Sequence, residues 1–359
     1  MLRERLSTGK GNQPAVSESD AGNGLTADNP EVPAHPPPQS KGRDWTVSIA
    51  LPASIADNAQ SAELRTYLAG QIARASAIFN IDEVVLYDEY SASDPLDERK
   101  KSLSFMAKVL QYLECPQYLR KFLFPMQKDL QYAGLLNPLD CRHHLKTTDL
   151  TTPFREGVVL NKKVSEGRPD SGSSVYIGLD QEVRLDRVLR PGVRVTVNFD
   201  PNQLQPSSSK DHVVNVKKRK NISGQAVSPS APRTELGLYW GYTVRVADSL
   251  SRALRDSPFP GGYDLMLGTS ERGDVVDQVA EKLPKSFKHA IIVFGGLGGI
   301  EPAVDSDVRL SHVADPRSLF HFYLNTCPDQ GSNTIRTEEA ILITLSCLRS
   351  CLLTRNQGE

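Results

Sequence analysis

The sequence predicts an α/β protein whose parallel sheet is split by an inserted β module. Three observations carry this. Residues 45–89 read strand, helix, strand. Around Thr147 the pattern changes to short β-branched runs separated by Gly, Pro and Ser. From Gly237 the alternation of apolar runs and helical segments resumes and ends in loops dense in Gly, Asn, Pro and Ser.

Taken in order, residues 1–44 are rich in Ser, Gly, Asn and Pro and have too little apolar content to bury, so a disordered tail is expected. WTVSIALP (Trp45–Pro52) reads as a buried strand. Over Ser61–Asn80, the residues Leu64, Leu68, Ile72, Ala75 and Phe79 recur at helical spacing. DEVVLYDE (Asp82–Glu89) is a second strand, and the polar SASDPLDERK that follows reads as a loop. Helical segments follow over Ser102–Glu114, stopping before Pro116, and over Gln117–Phe124, stopping at Pro125. Asn137-Pro138 marks a turn.

GVVL (Gly157–Leu160), SVYIGL (Ser174–Leu179) and VRVTVNF (Val193–Phe199) have the spacing of a small antiparallel barrel or meander. From Thr151 to Lys220 there are 13 Lys/Arg against 8 Asp/Glu, a local excess of +5 in a chain whose total is −1. That excess points to a phosphate-backbone contact. After the module, YWGYTVRVADSL leads into a helix with Asp248 or Ser249 near its start. YDLMLGTS (Tyr263–Ser270) is a strand running into a turn, SERGD, and Asp274–Leu283 is a short helix with Val275, Val279 and Leu283 on one side. The strand runs HAIIVF (His289–Phe294) and LFHFYLN (Leu319–Asn325) follow, and a helix spans Thr337–Leu353. The expected division is 1–44 tail, 45–146 first part of the α/β domain, 147–235 inserted module and 236–359 second part.

Composition excludes several classes. No run of about 18 apolar residues exists, so no transmembrane helix is expected, and the N-terminus lacks the apolar stretch of a signal peptide. The five cysteines, Cys115, Cys141, Cys327, Cys347 and Cys351, are scattered without CxxC pairs, which predicts reduced thiols in an intracellular protein and no bound metal. His143 and His144 receive no role. Tyr239, Trp240 and Tyr242 are expected to pack the core.

The glycine-rich stretches FGGLGGIEP (Phe294–Pro302) and NTCPDQGSNTIRTEE (Asn325–Glu339) each follow a strand run, where glycines either permit tight turns or let backbone groups hold a ligand. No GxxxxGK[ST] is present. Gly296-Leu297-Gly298 opens a dinucleotide fingerprint, but its last position is Glu301. A Rossmann-type methyltransferase would carry its glycine turn after the first strand, not near the C-terminus.

With GTSERGD (Gly268–Asp274), these loops resemble those of the SPOUT methyltransferases, whose C-terminal chain threads a trefoil knot in a parallel sheet with helices on both faces. The match is closest to the SPOUT-domain RNA methyltransferases with an OB-fold-like insertion. It covers WTVSIALP, EVVLYDE, GYTVRVADSL, YDLMLGTSERG, IIVFGGLGGIE and NTCPDQGSNTIRTEEAI. The resemblance implies an S-adenosylmethionine pocket made of Thr269 in the first loop, Gly295, Gly296, Leu297, Gly298 and Gly299 in the second, and Asn325, Cys327, Pro328, Gln330, Gly331, Ser332, Thr334 and Ile335 in the knotted third.

Direct methyl transfer needs an aligned nucleophile and a route for its proton. The charged candidates are Arg336, Glu301 and Arg272. Glu338 and Glu339 also suit the first turn of a helix, and Cys327 is read as a packing residue. For RNA, the candidates are Arg184, Arg187, Arg190, Arg194, Lys217, Lys218, Arg219 and Lys220. The last four serve either RNA or nuclear localisation. The resemblance further implies a homodimer and a ribosomal RNA substrate methylated on a base, with a uridine ring nitrogen the preferred target and a nuclear or nucleolar location. A non-catalytic RNA-binding scaffold is the alternative.

Overall fold

The computed structural model describes residues 42–89, 96–162, 172–204 and 222–353. The expected tail lies outside them up to residue 41, as does Lys217–Lys220. Order begins slightly earlier than Trp45, because the Arg43 guanidinium makes two 2.8 Å bonds to Asp82 and lies 4.7 Å from the Trp45 ring centre.

Strand β1 (Thr46–Pro52) is buried along its whole length, as a central parallel strand covered on both faces must be. Helix α1 (Ala62–Ile78) starts where the Ser61 side chain accepts from the Leu64 N–H, a standard N-cap. Leu68, Ile72 and Ala75 of α1 face the core, but Leu64 is 53% exposed and does not join them. Then come β2 (Glu83–Tyr87), α2 (Leu96–Glu114) and α3 (Gln117–Leu123). Helix α2 starts inside the stretch expected to be a loop. That charged segment has no apolar repeat to betray a helix.

The module consists of β3 (Phe154–Val159), β4 (Ser174–Tyr176), β5 (Val183–Leu185), β6 (Arg194–Phe199) and β7 (Ile222–Val227), closed in the order β3-β4-β5-β7-β6. The barrel is mixed, since β5 and β7 pair in parallel while the other pairs are antiparallel. Helix α4 (Ala231–Leu236) leads out of it to β8 (Thr243–Ala247) and α5 (Leu250–Arg255), which Ser249 caps. The remainder is β9 (Leu265–Val275), α6 (Val276–Val279), β10 (His289–Val293), α7 (Glu301–Ser306), β11 (Phe322–Asn325) and α8 (Thr337–Leu348), with a π-helical turn after α8 at Arg349–Leu353. The run YWGYTVRVADSL leads, as expected, into a helix that starts at its Ser249 cap, and the Thr243–Ala247 part of the run is an edge strand.

The sheet has six strands in the order β11-β9-β10-β1-β2-β8, all parallel. Its side chains alternate between two cores. Val47, Ile49, Leu51, Val84 and Ile292 pack with α1, α2 and α8, whereas Ala50, Val85, Ile291 and Val293 pack with α5 and α7. Helices thus cover both faces, as the resemblance implies.

Barrel and sheet are joined by a buried polar cluster. The Arg194 guanidinium bonds Glu156 at 2.6 Å and Glu114, at the end of α2, at 2.6 and 2.9 Å. Glu156 also accepts from Thr196 and from the Trp240 indole, and His143 lies 2.9 Å from Glu114 Oε1. Burial alone would raise the Glu114 carboxyl, but the charge of Arg194 beside it prevails and holds its pKa at about 2. Arg194 must accordingly be removed from the RNA candidates: its guanidinium is committed to two buried carboxylates.

Cys141, His143 and His144 bring donor atoms within 4.8 Å of one another. The Nε2 atoms of both imidazoles donate to the Glu114 carbonyl at 2.8 and 2.7 Å. Burial pulls the His144 pKa down to about 3, so that ring is neutral, and it pushes the thiols of Cys115 and Cys141 up to about 12. Tyr239, Trp240 and Tyr242 are buried as expected.

Candidate functional site

Ligands of open parallel sheets sit beyond the carboxyl ends of the strands. Here β9, β10 and β11 end together. The partner of β11 changes from Gly268, opposite Tyr323, to Asp274, opposite Leu324, so Thr269–Gly273 are looped out of the ladder. The expected SERGD turn is this excursion, with β9 continuing beyond it. Thr269 Oγ1 donates to the Val293 carbonyl at 2.9 Å and ties the excursion to β10.

The second loop is a miniature hairpin. The N–H groups of Gly296 and Gly299 each bond the other's carbonyl at 3.1 Å. Gly299 has φ +81°, the left-handed conformation that glycine takes without a Cβ penalty. Two side chains brace the strand end and the loop. The buried Tyr87 hydroxyl donates to the Phe294 carbonyl at 2.6 Å, and Thr337 Oγ1 donates to the Gly295 carbonyl at 2.8 Å.

The third loop is held from within. Asn325 Nδ2 donates to the Glu271 carbonyl at 2.9 Å, joining loops one and three, and its Oδ1 accepts from the Cys327 N–H at 3.0 Å. Thr326 and Thr344 hydroxyls meet at 2.8 Å. Ser332 Oγ donates to the Thr334 carbonyl at 2.8 Å. Helix α8 then begins with the Glu339 carboxylate accepting from the Arg336 N–H at 3.0 Å, so Glu339 serves the helix start.

These loops surround a cavity of about 310 Å³, which is the size of a small-molecule site. The structure brings thirteen sequence-nominated residues to its wall: Thr269, Arg272, Gly295, Gly296, Leu297, Gly298, Gly299, Glu301, Asn325, Cys327, Gln330, Thr334 and Ile335. Pro328, Gly331, Ser332 and Arg336 belong to the same loop or its exit but are not on that wall. Arg336 is exposed, between Ile335 and Thr337, which do line the cavity. Arg272 and Glu301 form a 3.3 Å ion pair, with the arginine 76% exposed, a geometry of small energetic worth in water.

Sequence reasoning missed the floor. Thr337, Ala340 and Thr344 line the cavity from one face of α8, with Phe294 and Leu324 from the strand ends. The i, i+3, i+7 spacing of small residues after the loop was the available signal.

The cavity wall therefore combines backbone polar groups, hydroxyls, side-chain amides and apolar patches with three charged residues, Glu271, Arg272 and Glu301. Such a wall suits a heteroaromatic ring read through N–H and C=O groups. It contains no paired nucleophile and base of the hydrolase kind.

On the barrel, Arg187 is 60% exposed and pairs with Asp186 at 2.9 Å, and Arg190 is exposed. Arg184 is half-buried beside a cavity of about 920 Å³ that also carries Asp186, Asn198, Phe199 and Asp200.

Comparison with known proteins gives a consistent result. The family described as "Putative RNA methyltransferase" matches residues 46–348. The chain is 51% identical over 318 residues to the 28S rRNA (uridine-N(3))-methyltransferase of Mus musculus, covering 86% of this chain and 77% of that protein. Against the Homo sapiens protein of the same name it is 50% identical over 323 residues, covering 88% and 81%. Against that of Drosophila melanogaster it is 45% identical over 329 residues, covering 88% and 64%.

Proposed function

The chain belongs to this family of RNA methyltransferases, and we propose that it transfers the methyl group of S-adenosylmethionine to the N3 atom of a uridine in large-subunit ribosomal RNA. The observation that carries the proposal is the convergence of three strand-end loops on one backbone-lined cavity. The two mammalian relatives, alike over most of both chains, support the choice of base and RNA.

The residues present fit the cofactor. The glycine hairpin offers N–H and C=O groups unhindered by side chains, and the α8 face supplies Ala340 and two threonines. The cofactor brings the sulfonium methyl group, and the protein's task is to fix the acceptor nitrogen in line with it and manage its proton. Leu297, 69% exposed, and the Arg272–Glu301 pair stand at the wall where an incoming base would pass. Arg336, exposed outside that wall, suits a phosphate or a base carbonyl. In this reading the module at 147–235 grips RNA through Arg184, Arg187, Arg190 and the Lys217–Lys220 stretch. The parts at 45–146 and 236–359 carry the chemistry, with Asn325–Arg336 passing through the chain as the SPOUT knot. The location that goes with this substrate is the nucleus, and within it the nucleolus.

Incubation with unmodified ribosomal RNA and methyl-labelled cofactor is expected to give 3-methyluridine on digestion and mass spectrometry. Label on ribose, or on another base, would overturn the assignment. RNA binding without any heat from S-adenosylhomocysteine in calorimetry would replace it with the scaffold reading.

We also propose that α1 and α8 form a homodimer face. Leu64, Tyr67 and Ile78 of α1 and Leu342 of α8 are each about half exposed, and a groove of about 290 Å³ runs between Tyr67, Gln71, Ile78, Leu136 and Leu342. On α1 they follow the helical repeat, a stripe with no partner among the described residues. Light scattering should give twice the chain mass, and Tyr67→Asp with Ile78→Asp should return the monomer. A monomeric wild type would sink the idea.

A further inference from the structure

Methylation at a uridine N3 asks for a proton acceptor as well as a methyl donor. N3 is an imide nitrogen, and its electron pair attacks only as its proton leaves. No histidine or lysine lines the cavity, and its two carboxylates are those of Glu271 and Glu301. Glu301 is already engaged. Its Oε1 lies 3.3 Å from the Arg272 guanidinium, and a Cβ on Gly299 would stand 2.4 Å from its Oε2, so it is packed against the glycine hairpin.

Glu271 differs. It is the middle residue of the Thr269–Gly273 excursion, whose backbone is pinned from several sides. Thr269 Oγ1 donates to the Val293 carbonyl, Asn325 Nδ2 donates to the Glu271 carbonyl at 2.9 Å, and Arg317 donates to the Arg272 carbonyl at 2.7 Å. Arg317 also pairs with Asp274 at 2.8 Å, which takes up the nearest carboxylate beyond the excursion. The Glu271 side chain itself has no hydrogen-bond or ion-pair partner among the described residues. It is exposed and lines the cavity, so a base arriving from solvent meets it with no rearrangement of the protein. The opposite, inner part of the wall is buried Phe294, Leu324 and Thr344, where a cofactor packs. The cavity thus carries a carboxylate free to accept a proton at its mouth, on a backbone that is held in place.

We propose that Glu271 is the general base of the methyl transfer, accepting the N3 proton of the target uridine. This rests on the uridine-N3 reading above and adds a residue that the loop resemblance does not nominate. The N3–H bond breaks with its proton passing to the Glu271 carboxylate and its electron pair staying on N3. That pair forms the N3–methyl bond while the methyl–sulfur bond breaks and leaves its pair on sulfur, giving S-adenosylhomocysteine. The Glu271 carboxylic acid then returns its proton to water.

The test measures single-turnover methyl transfer by the full-length protein, saturated with S-adenosylmethionine, on ribosomal RNA transcribed with uridine or with 5-fluorouridine. Fluorine withdraws electrons and makes N3–H more acidic, so the need for a base falls. Glu271→Gln is expected to slow transfer to uridine by about 100-fold or more, the scale of general-base catalysis. S-adenosylhomocysteine affinity, read by calorimetry, should not change, and on 5-fluorouridine RNA the gap between wild type and variant should shrink severalfold. A rate close to wild type would overturn the proposal. So would S-adenosylhomocysteine weakened in step with the rate, which would make Glu271 a cofactor ligand, or an equal loss on both RNAs, which would make it a support of the loop. Wild-type protein that forms no 3-methyluridine would instead overturn the reaction assignment.

Discussion

Gly295→Ala is expected to reduce methyl transfer by about 100-fold or more, the scale on which sub-ångström to ångström misplacement acts in aligned reactions. The added Cβ would fall on backbone, the Gly299 carbonyl and the Ile300 nitrogen, inside the hairpin closed by the Gly296–Gly299 bonds. Backbone cannot swing aside as a flexible side chain does. The hairpin must open, and Thr337 loses its fixed partner at the Gly295 carbonyl. Gly298→Ala is the calibrating neighbour, since its Cβ meets only the Pro302 ring, at 2.8 Å. Its loss should be clearly smaller. Steady-state kinetics together with S-adenosylhomocysteine affinity would show both effects. Equal, mild losses at the two positions would mean that the hairpin is not the cofactor wall.

Glu114→Gln should destabilise the protein by about 3–5 kcal/mol, the cost of leaving a buried ionic partner uncompensated. Arg194 would keep only Glu156, and His143 would lose a carboxylate. The sign of the pH effect follows from the depressed carboxyl. With a folded pKa of about 2 against an ordinary 4.5, the stabilisation is complete above about pH 4.5 and is lost as pH falls toward 2. The shift corresponds to about 3 kcal/mol at most, as an order of magnitude. Thermal melts between pH 7 and pH 3 should therefore draw together for wild type and variant toward the acid end without yet meeting. Parallel curves would show that Glu114 carries no such charge-linked stability.

How much of this could be read beforehand depends on sequence distance. β1, β2 and β10 announce themselves because a central parallel strand is a largely apolar, β-branched run, as Val84–Leu86 and Ala290–Val293 are. The glycine hairpin and the Asn325–Ile335 loop are legible for the opposite reason, as runs that can form neither helix nor strand. β5, three residues long, has no period to detect, and β7 begins with a glycine two residues in. Arg194 looks like one basic residue among several, because the Glu114 that captures it lies 80 positions away. Glu89 ended an expected strand, and nothing local says that its side chain lies beside Gly296. Contacts of this kind exist only once the sheet order is known.

That order also works as a ruler. The cavity sits at the β9–β10–β11 end of the sheet, and the barrel joins at its other edge, just before β8. Five strand spacings of about 4.8 Å separate the two edges, roughly 24 Å. An RNA gripped by the barrel of one subunit must cross that width to enter the same subunit's cavity. The nucleotides that confer recognition and the nucleotide that receives the methyl group are then different ones. A minimal substrate would have to include both, folded so that the span between them matches the width of the sheet.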